Sequence, residues 1–314
     1  MPTLTMYQVD AFAERAFQGN PAAVLVLENW LSDDVMQAIA NENNLAETAF
    51  VQPNGKGWDL RWFAPVHEVD FCGHATIAAA HVLAAEHNVE GEIAFATRVG
   101  ELRVSRREGA YQLDLPCFPP QPVGDELLPA LQQIFPLQPV AGFRNFENLF
   151  VELADETSIR SFVPDLLRIG GFHPLGLVIT APGQAHDFVS RYFVPGAGIP
   201  EDPVTGSIHA TLVPYWAEKL GKAHLSAFQC SQRGGHLLCE LAGDRVLITG
   251  RAKTFMKAEI YLPERAAWLG FVAPTKWGRG GRGAGGGGGR RDQKKVAEGG
   301  RFVLSVEGAA RPRA

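Results

Sequence analysis

The chain has 314 residues, 46% of them hydrophobic and 20% charged, which suits a soluble globular protein of two domains rather than one. It holds no run of about 18 apolar residues, and MPTLTMYQVDAF lacks a basic-then-apolar leader, so neither a membrane span nor a secretory signal is expected. The net charge of −5 is uneven: from Lys276 on, ten Lys/Arg face three Asp/Glu, a local +7, which leaves −12 on residues 1–275 and argues against nucleic acid as a partner of the main body.

In chain order, LTMYQVDAF (4–12) and AAVLVL (22–27) read as strands around the loop AERAFQGNP. A helix is predicted over 32–44: Ser32 is placed to cap it, Asp33 and Asp34 suit its positive end, and Val35, Met36, Ile39 and Ala40 form its apolar face. ETAFVQ (47–52) and WDLRWFA (58–64) return to strand, and the alanine-rich stretch from Gly73 to His87 reads as a closely packed helix. The folded part is expected to end near Leu262, after AEIYL (258–262). Beyond it, GRGGRGAGGGGGRRDQKK has almost nothing to bury and reads as disordered, with at most weak, non-specific binding of polyanions. An inert appendage is the simpler reading. RFVLSV (301–306) is a short apolar run within that tail.

RWFAP (61–65) is echoed by RYFVP (191–195). Each is followed by a loop with an acid, a glycine and a helix of small residues. Asp70 precedes Gly73 by three positions and Asp202 precedes Gly206 by four. Four features in one order point to a duplicated domain. Two such domains facing each other place the helix starts at Gly73 and Gly206 on opposite walls of one cleft, where free backbone N–H groups and a partial positive charge favour a small carboxylate.

Cys72, Cys117, Cys230 and Cys239 are scattered without a CxxC pair, so a reducing cytoplasm is the expected setting. His81 stands seven residues after His74, too far for both to bind one metal directly, and GAGIPE lacks the setting of a dinucleotide fingerprint. No metal and no cofactor are expected. Taken alone, Glu47 reads as a solvated residue, His74 as a structural hydrogen-bonder, Asn20 and Asp202 as turn formers, and Ser207 as a helix-start residue.

The blocks VDAFAERAFQGNPAAV (9–24), NLAETAFV (44–51), RWFAPVHEVDFCGHAT (61–76) and GIPEDPVTGSIHA (198–210) resemble the phenazine-biosynthesis PhzF-type isomerase family, over residues 1–262. The resemblance implies an α+β fold similar to diaminopimelate epimerase: two pseudo-symmetric domains, 1–117 and 118–262, each a curved mixed sheet around a central helix, with the site between them and a tail over 263–314. It implies Glu47 as the acid/base, and His74, Asp202, Ser207, Gly73, Gly206 and Asn20 as substrate-binding residues. Ala46 stands where the family often has serine. In the family this chemistry isomerises a dihydro-hydroxyanthranilate; the substrate does not transfer with the fold. Epimerases of this fold use a cysteine ahead of each helix glycine. Here Cys72 precedes Gly73 but Thr205 precedes Gly206, which argues against a two-thiol racemase and reads Cys72 as a small buried residue.

The expectation is a cofactor-independent isomerase moving a proton on a small carboxylate-bearing metabolite, compatible with a homodimer. Its alternatives are a racemase or epimerase in the same cleft, or a binding or scaffold protein that retains the fold.

Overall fold

The computed structural model describes residues 3–135 and 139–263. The tail expected from residue 263 and the run 301–306 lie outside the described residues, Pro263 apart. In chain order the elements are β1 (Thr3–Ala11), β2 (Asn20–Val26), α1 (Asp33–Asn43), β3 (Glu47–Pro53), β4 (Trp58–Phe63), β5 (Glu68–Val69), α2 (Gly73–Glu86), β6 (Ile93–Thr97), β7 (Gly100–Arg107) and β8 (Ala110–Pro116). Then come β9 (Gln121–Pro122), α3 (Leu128–Ile134), β10 (Ala141–Arg144), β11 (Asn148–Glu152), α4 (Glu156–Ser161), α5 (Leu166–Gly170), β12 (Gly176–Pro182), β13 (Phe188–Val194), β14 (Ile199–Asp202), α6 (His209–Leu220), β15 (His224–Gln229), β16 (Gly235–Ala242), β17 (Arg245–Gly250) and β18 (Ala252–Tyr261).

The duplication is visible in the pairing. In the first half β1 and β2 are antiparallel, β2 and β3 parallel, β3 and β4 antiparallel, and β4 pairs antiparallel with β5 and parallel with β6. In the second half β10 to β15 repeat this scheme step for step. Both halves end in an antiparallel meander, β6–β7–β8 and β15–β16–β17, and β8 joins β17 along their length. The class is mixed α+β, as the resemblance implied. β18, which the expected division places in the 118–262 unit, returns to the first half and pairs with β1 from Thr3↔Tyr261 to Ala11↔Ala252.

Local chemistry accounts for the two central helices. Every residue of α2 from Gly73 to Ala80 is buried, with Val82 and Leu83 beyond. A helix apolar on all sides is wrapped by its neighbours, and its alanines let β1, β2 and β3 approach closely. α6 buries His209, Ala210, Thr211, Leu212, Val213, Trp216 and Ala217 and ends at Gly221 in the left-handed region. α1 packs Met36, Ile39 and Ala40 into a separate core with Leu25, Phe50 and Met6. Ser32 occupies its cap position, but its side chain makes no capping bond; its carbonyl accepts from Val35 and Met36 instead.

Two sequence expectations need correcting. α6 begins at His209, not at Gly206, because residues 206–208 form a tighter turn in which His209 N bonds Gly206 O at 3.1 Å and Ala210 N bonds Ser207 O at 3.1 Å. The acids that correspond in the repeat are Glu68 and Glu201, each five residues before its glycine. Arg61 grips Glu68 through two bonds of 2.8 Å, and Arg191 grips Glu201 at 2.8 and 2.9 Å. Each guanidinium also covers the phenylalanine two positions on, Phe63 at 5.1 Å and Phe193 at 4.9 Å. Asp70 pairs instead with exposed Arg98, whereas Asp202 is buried.

Candidate active site

Glu47 opens β3, Asn20 opens β2, Cys72 and His74 flank the start of α2, and Asp202 closes β14. The topology brings all five to the seam between the halves. Glu47 Oε2 lies 3.2 Å from His74 Nε2, and its side chain keeps only 14% of its surface. That oxygen is enclosed and has no hydrogen-bond partner. Burial, then the negative charge of Asp202, pushes the Glu47 carboxyl up to about 8, against a lowering bond from Cys72. Burial pulls His74 down to about 3. Both groups are therefore uncharged at neutral pH, and their close approach is not an ion pair.

Asn20 is fully buried and ties the halves together. Its amide nitrogen bonds Asp202 Oδ1 at 2.8 Å and the Val204 carbonyl at 2.9 Å, and lies 3.2 Å from His74 Nδ1. Asp202 is raised to about 6 by burial, opposed by its bonds from Thr205 and Asn20. Around it, the Thr205 hydroxyl donates to Asp202 Oδ2, Thr205 N donates to Gln229 Oε1 at 2.8 Å, and Gln229 Nε2 donates to the Asp202 carbonyl at 2.8 Å.

Gly73 and Gly206 face each other so closely that a Cβ built on either would sit 3.5 Å from the Cα of the other. At that point the two walls of the cleft meet. The backbones of the two halves are in contact here, and the tight neighbour of a side chain at Gly206 is the Ile248 Cδ1 tip, 3.0 Å from where its Cβ would sit. Ser207 stands apart from the Asp202 network, half-buried over a small apolar nook with Phe71, Leu102, Leu115 and Phe118.

Three participants escaped the sequence. Cys72, read as packing, has its sulfur 3.4 Å from His74 Nδ1 and 4.0 Å from Nε2, and also contacts Glu47. Its place directly before Gly73 was the available signal. Thr205 holds the equivalent place before Gly206 and orients Asp202. Gln229, the last residue of β15, carried no signal, because the fold alone brings it to the turn. Among the described residues Glu47, Cys72 and His74 bring an oxygen, a sulfur and a ring nitrogen within 4.8 Å of one another, and His81 takes no part in the group: it bonds Tyr111 and Thr254.

A curved mixed sheet with two buried helices facing across a seam defines the epimerase-like class of folds. A hydroxyproline epimerase from Agrobacterium vitis shares it at 10% identity and a TM-score of 0.56, over 84% of this chain and 94% of that one. Within the class, residues 9–258 match the family described as phenazine biosynthesis-like protein, PhzC-PhzF, and the chain belongs to that family. An uncharacterized isomerase of Pseudomonas aeruginosa is 46% identical over 260 residues, covering 82% of this chain and 99% of the relative. A human phenazine biosynthesis-like domain-containing protein is 41% identical over 286 residues, covering 82% and 99%. The crystal structure of a PhzF family protein from Enterococcus faecalis superposes with a TM-score of 0.80 at 45% identity, over 83% of this chain and all of that one. The protein is an enzyme of the isomerase kind. No helix among the described residues is long and apolar enough to cross a membrane.

Proposed function

We propose that this isomerase needs no cofactor and moves a proton along a small carboxylate-bearing metabolite, with Glu47 as the single acid/base. The observation that carries the reading is the Glu47 carboxyl itself: buried, held near 8, with one oxygen free of hydrogen bonds. A group whose pKa lies close to working pH can take a proton from carbon as carboxylate and return it elsewhere as acid. His74, kept neutral by burial, is suited to hold a substrate hydroxyl or carbonyl without adding charge. Asp202, fixed by Asn20 and Thr205, orients a second polar group. A paired-thiol racemisation has less support, since Thr205 stands where the second thiol would be and its hydroxyl is engaged with Asp202. The four described cysteines are unpaired, consistent with work in the cytoplasm.

The test is a screen of small unsaturated and hydroxylated carboxylic acids for deuterium uptake from heavy water. Wild type should label at least one of them at carbon, and Glu47→Gln should slow that labelling by about 10²–10⁴-fold while leaving the fold intact. A Gln variant that exchanges at the wild-type rate sinks the assignment.

A further inference from the structure

The second half holds Asn20 twice. It accepts the Asn20 side chain at Asp202 and Val204, and it also grips the glycine just ahead of it. Gly19 N donates to the Gly234 carbonyl at 2.7 Å, and Arg233 Nε donates to the Gly19 carbonyl at 2.8 Å. Arg233 and Gly234 lie in the turn between β15 and β16. We infer that Arg233 is a positioning residue for the reaction: it locks the peptide ahead of Asn20 from the opposite half, and through Asn20 it sets where His74 stands relative to Asp202.

Arg233 uses both sides of its guanidinium fork. Beside the bond to Gly19, Nη2 donates to Asp10 Oδ1 at 2.7 Å and to the Gln18 carbonyl at 3.0 Å. Asp10 is a fixed anchor: its side chain is 2% exposed, and its second oxygen accepts from Phe17 N at 3.0 Å. Burial pushes the Asp10 carboxyl up, against that backbone bond and the charge of Arg233. The clamp is also part of the block that carries Asp202. Ser231 Oγ donates to the Pro203 carbonyl at 2.7 Å and accepts from Gly234 N at 3.1 Å, while Gln229 bonds the Asp202 carbonyl at 2.8 Å. One hydrogen-bonded unit of the second half thus fixes both the side chain of Asn20 and the peptide before it. A displacement of about 1 Å at a site of this kind can cost on the order of 10²-fold in rate.

The effect on turnover rests on the isomerase reading; the effect on Asp202 does not, and it is measured without substrate. With the acid that wild type labels, Arg233→Ala should lower kcat for deuterium exchange by about 10–10²-fold and change KM less than about threefold. Arg233→Lys keeps a charge for Asp10 but not the fork, so it should recover only part of that loss. Arg245→Ala is the control. It removes another ion pair between the halves, Arg245 Nε to Asp114 Oδ1 at 2.8 Å, and should leave kcat unchanged. In an Asn20→Ala background, Arg233→Ala should cost less than about twofold more, because its action runs through Asn20. In the resting full chain, carbon-13 titration of the Asp202 carboxyl should move from about 6 to higher pH in Arg233→Ala and stay in place in Arg245→Ala, since Asn20 favours the carboxylate form. Its titratable neighbours Glu47, Glu201 and Tyr192 are the same in both variants. Full kcat in Arg233→Ala, costs that multiply in the double variant, or an unmoved Asp202 overturns the assignment. If Arg233→Ala does not fold, Arg233→Lys carries the same tests, and wild-type kcat with an unmoved Asp202 there overturns it too. If Glu47→Gln exchanges at the wild-type rate while Asp202 still responds to Arg233, the acid/base reading falls and the clamp stands.

Discussion

Burial does most of the electrostatic work at single residues in the seam, and it pushes acids and bases in opposite directions. Glu47 is raised from 4.5 to about 8, while His74 is lowered from 6.5 to about 3. If the carboxylate form of Glu47 starts the reaction, kcat/KM should climb about tenfold per pH unit below 8 and flatten above it. The pH-rate profile of wild type against its labelled acid checks this. The same shift marks stability. Between pH 4.5 and 8 the unfolded chain has an ionised Glu47 and the folded chain a protonated one, so the folded state binds more protons and stability falls as pH rises through that window. Glu47→Gln removes that slope. Its stability relative to wild type, from urea unfolding at pH 5 and pH 9, should therefore grow with pH, by at most about 1.4 kcal/mol per unit. Asn20 is a second test at this scale. Asn20→Ala leaves the Val204 carbonyl and Asp202 without their shared donor, which should cost about 1–3 kcal/mol and raise Asp202 further.

Among elements, the strands and helices that follow a simple period were legible: α1 through its apolar face, α2 through its alanines, and the repeat through RWFAP and RYFVP. What the sequence hid was register. Asp70 and Asp202 looked equivalent because both are acids before a glycine, yet only pairing geometry shows that Glu68 and Glu201 share the arginine clamp. The start of α6 was placed early for a similar reason: a turn of i→i+3 bonds from Gly206 has no signature distinct from a helix start. That Glu47 and His74 belong to one site was legible only by resemblance, since they are 27 positions apart and nothing local joins them. The two glycines give the test at this scale. A Cβ at Gly206 would sit 3.0 Å from Ile248 Cδ1, a flexible tip, and 3.5 Å from the Gly73 Cα. Gly206→Ala should destabilise by about 1–2 kcal/mol, and Ile248→Val in the same chain should recover part of that loss. Additive costs in the double-mutant cycle would show that the crowding lies elsewhere.

For the molecule as a whole, the two repeated halves are not independent beads, because the chain returns at its end to where it began. β18 lies along β1 from Ala252 to Tyr261, and Met256, Ile260 and Leu262 pack against the core that holds Met6 and Leu25. Just ahead of the strand, the Ala13 amide bonds the Arg251 carbonyl at 3.0 Å, immediately after Phe12. Phe12 in turn fills the space against Gly250 and the Gly235 backbone of the other half. Removing β18 would therefore open an edge along β1 and uncover apolar side chains on one face. A chain ended after Arg251 should fail to fold as a monodisperse protein. A chain ended after Pro263 should melt within about a degree of the full-length protein and exchange deuterium at the same rate, since the matched family segment stops at residue 258. Thermal melts and the exchange assay on both truncations decide the matter. Normal folding without β18, or a large loss of stability on removing only residues 264–314, would mean that the first half is closed by something other than its own last strand.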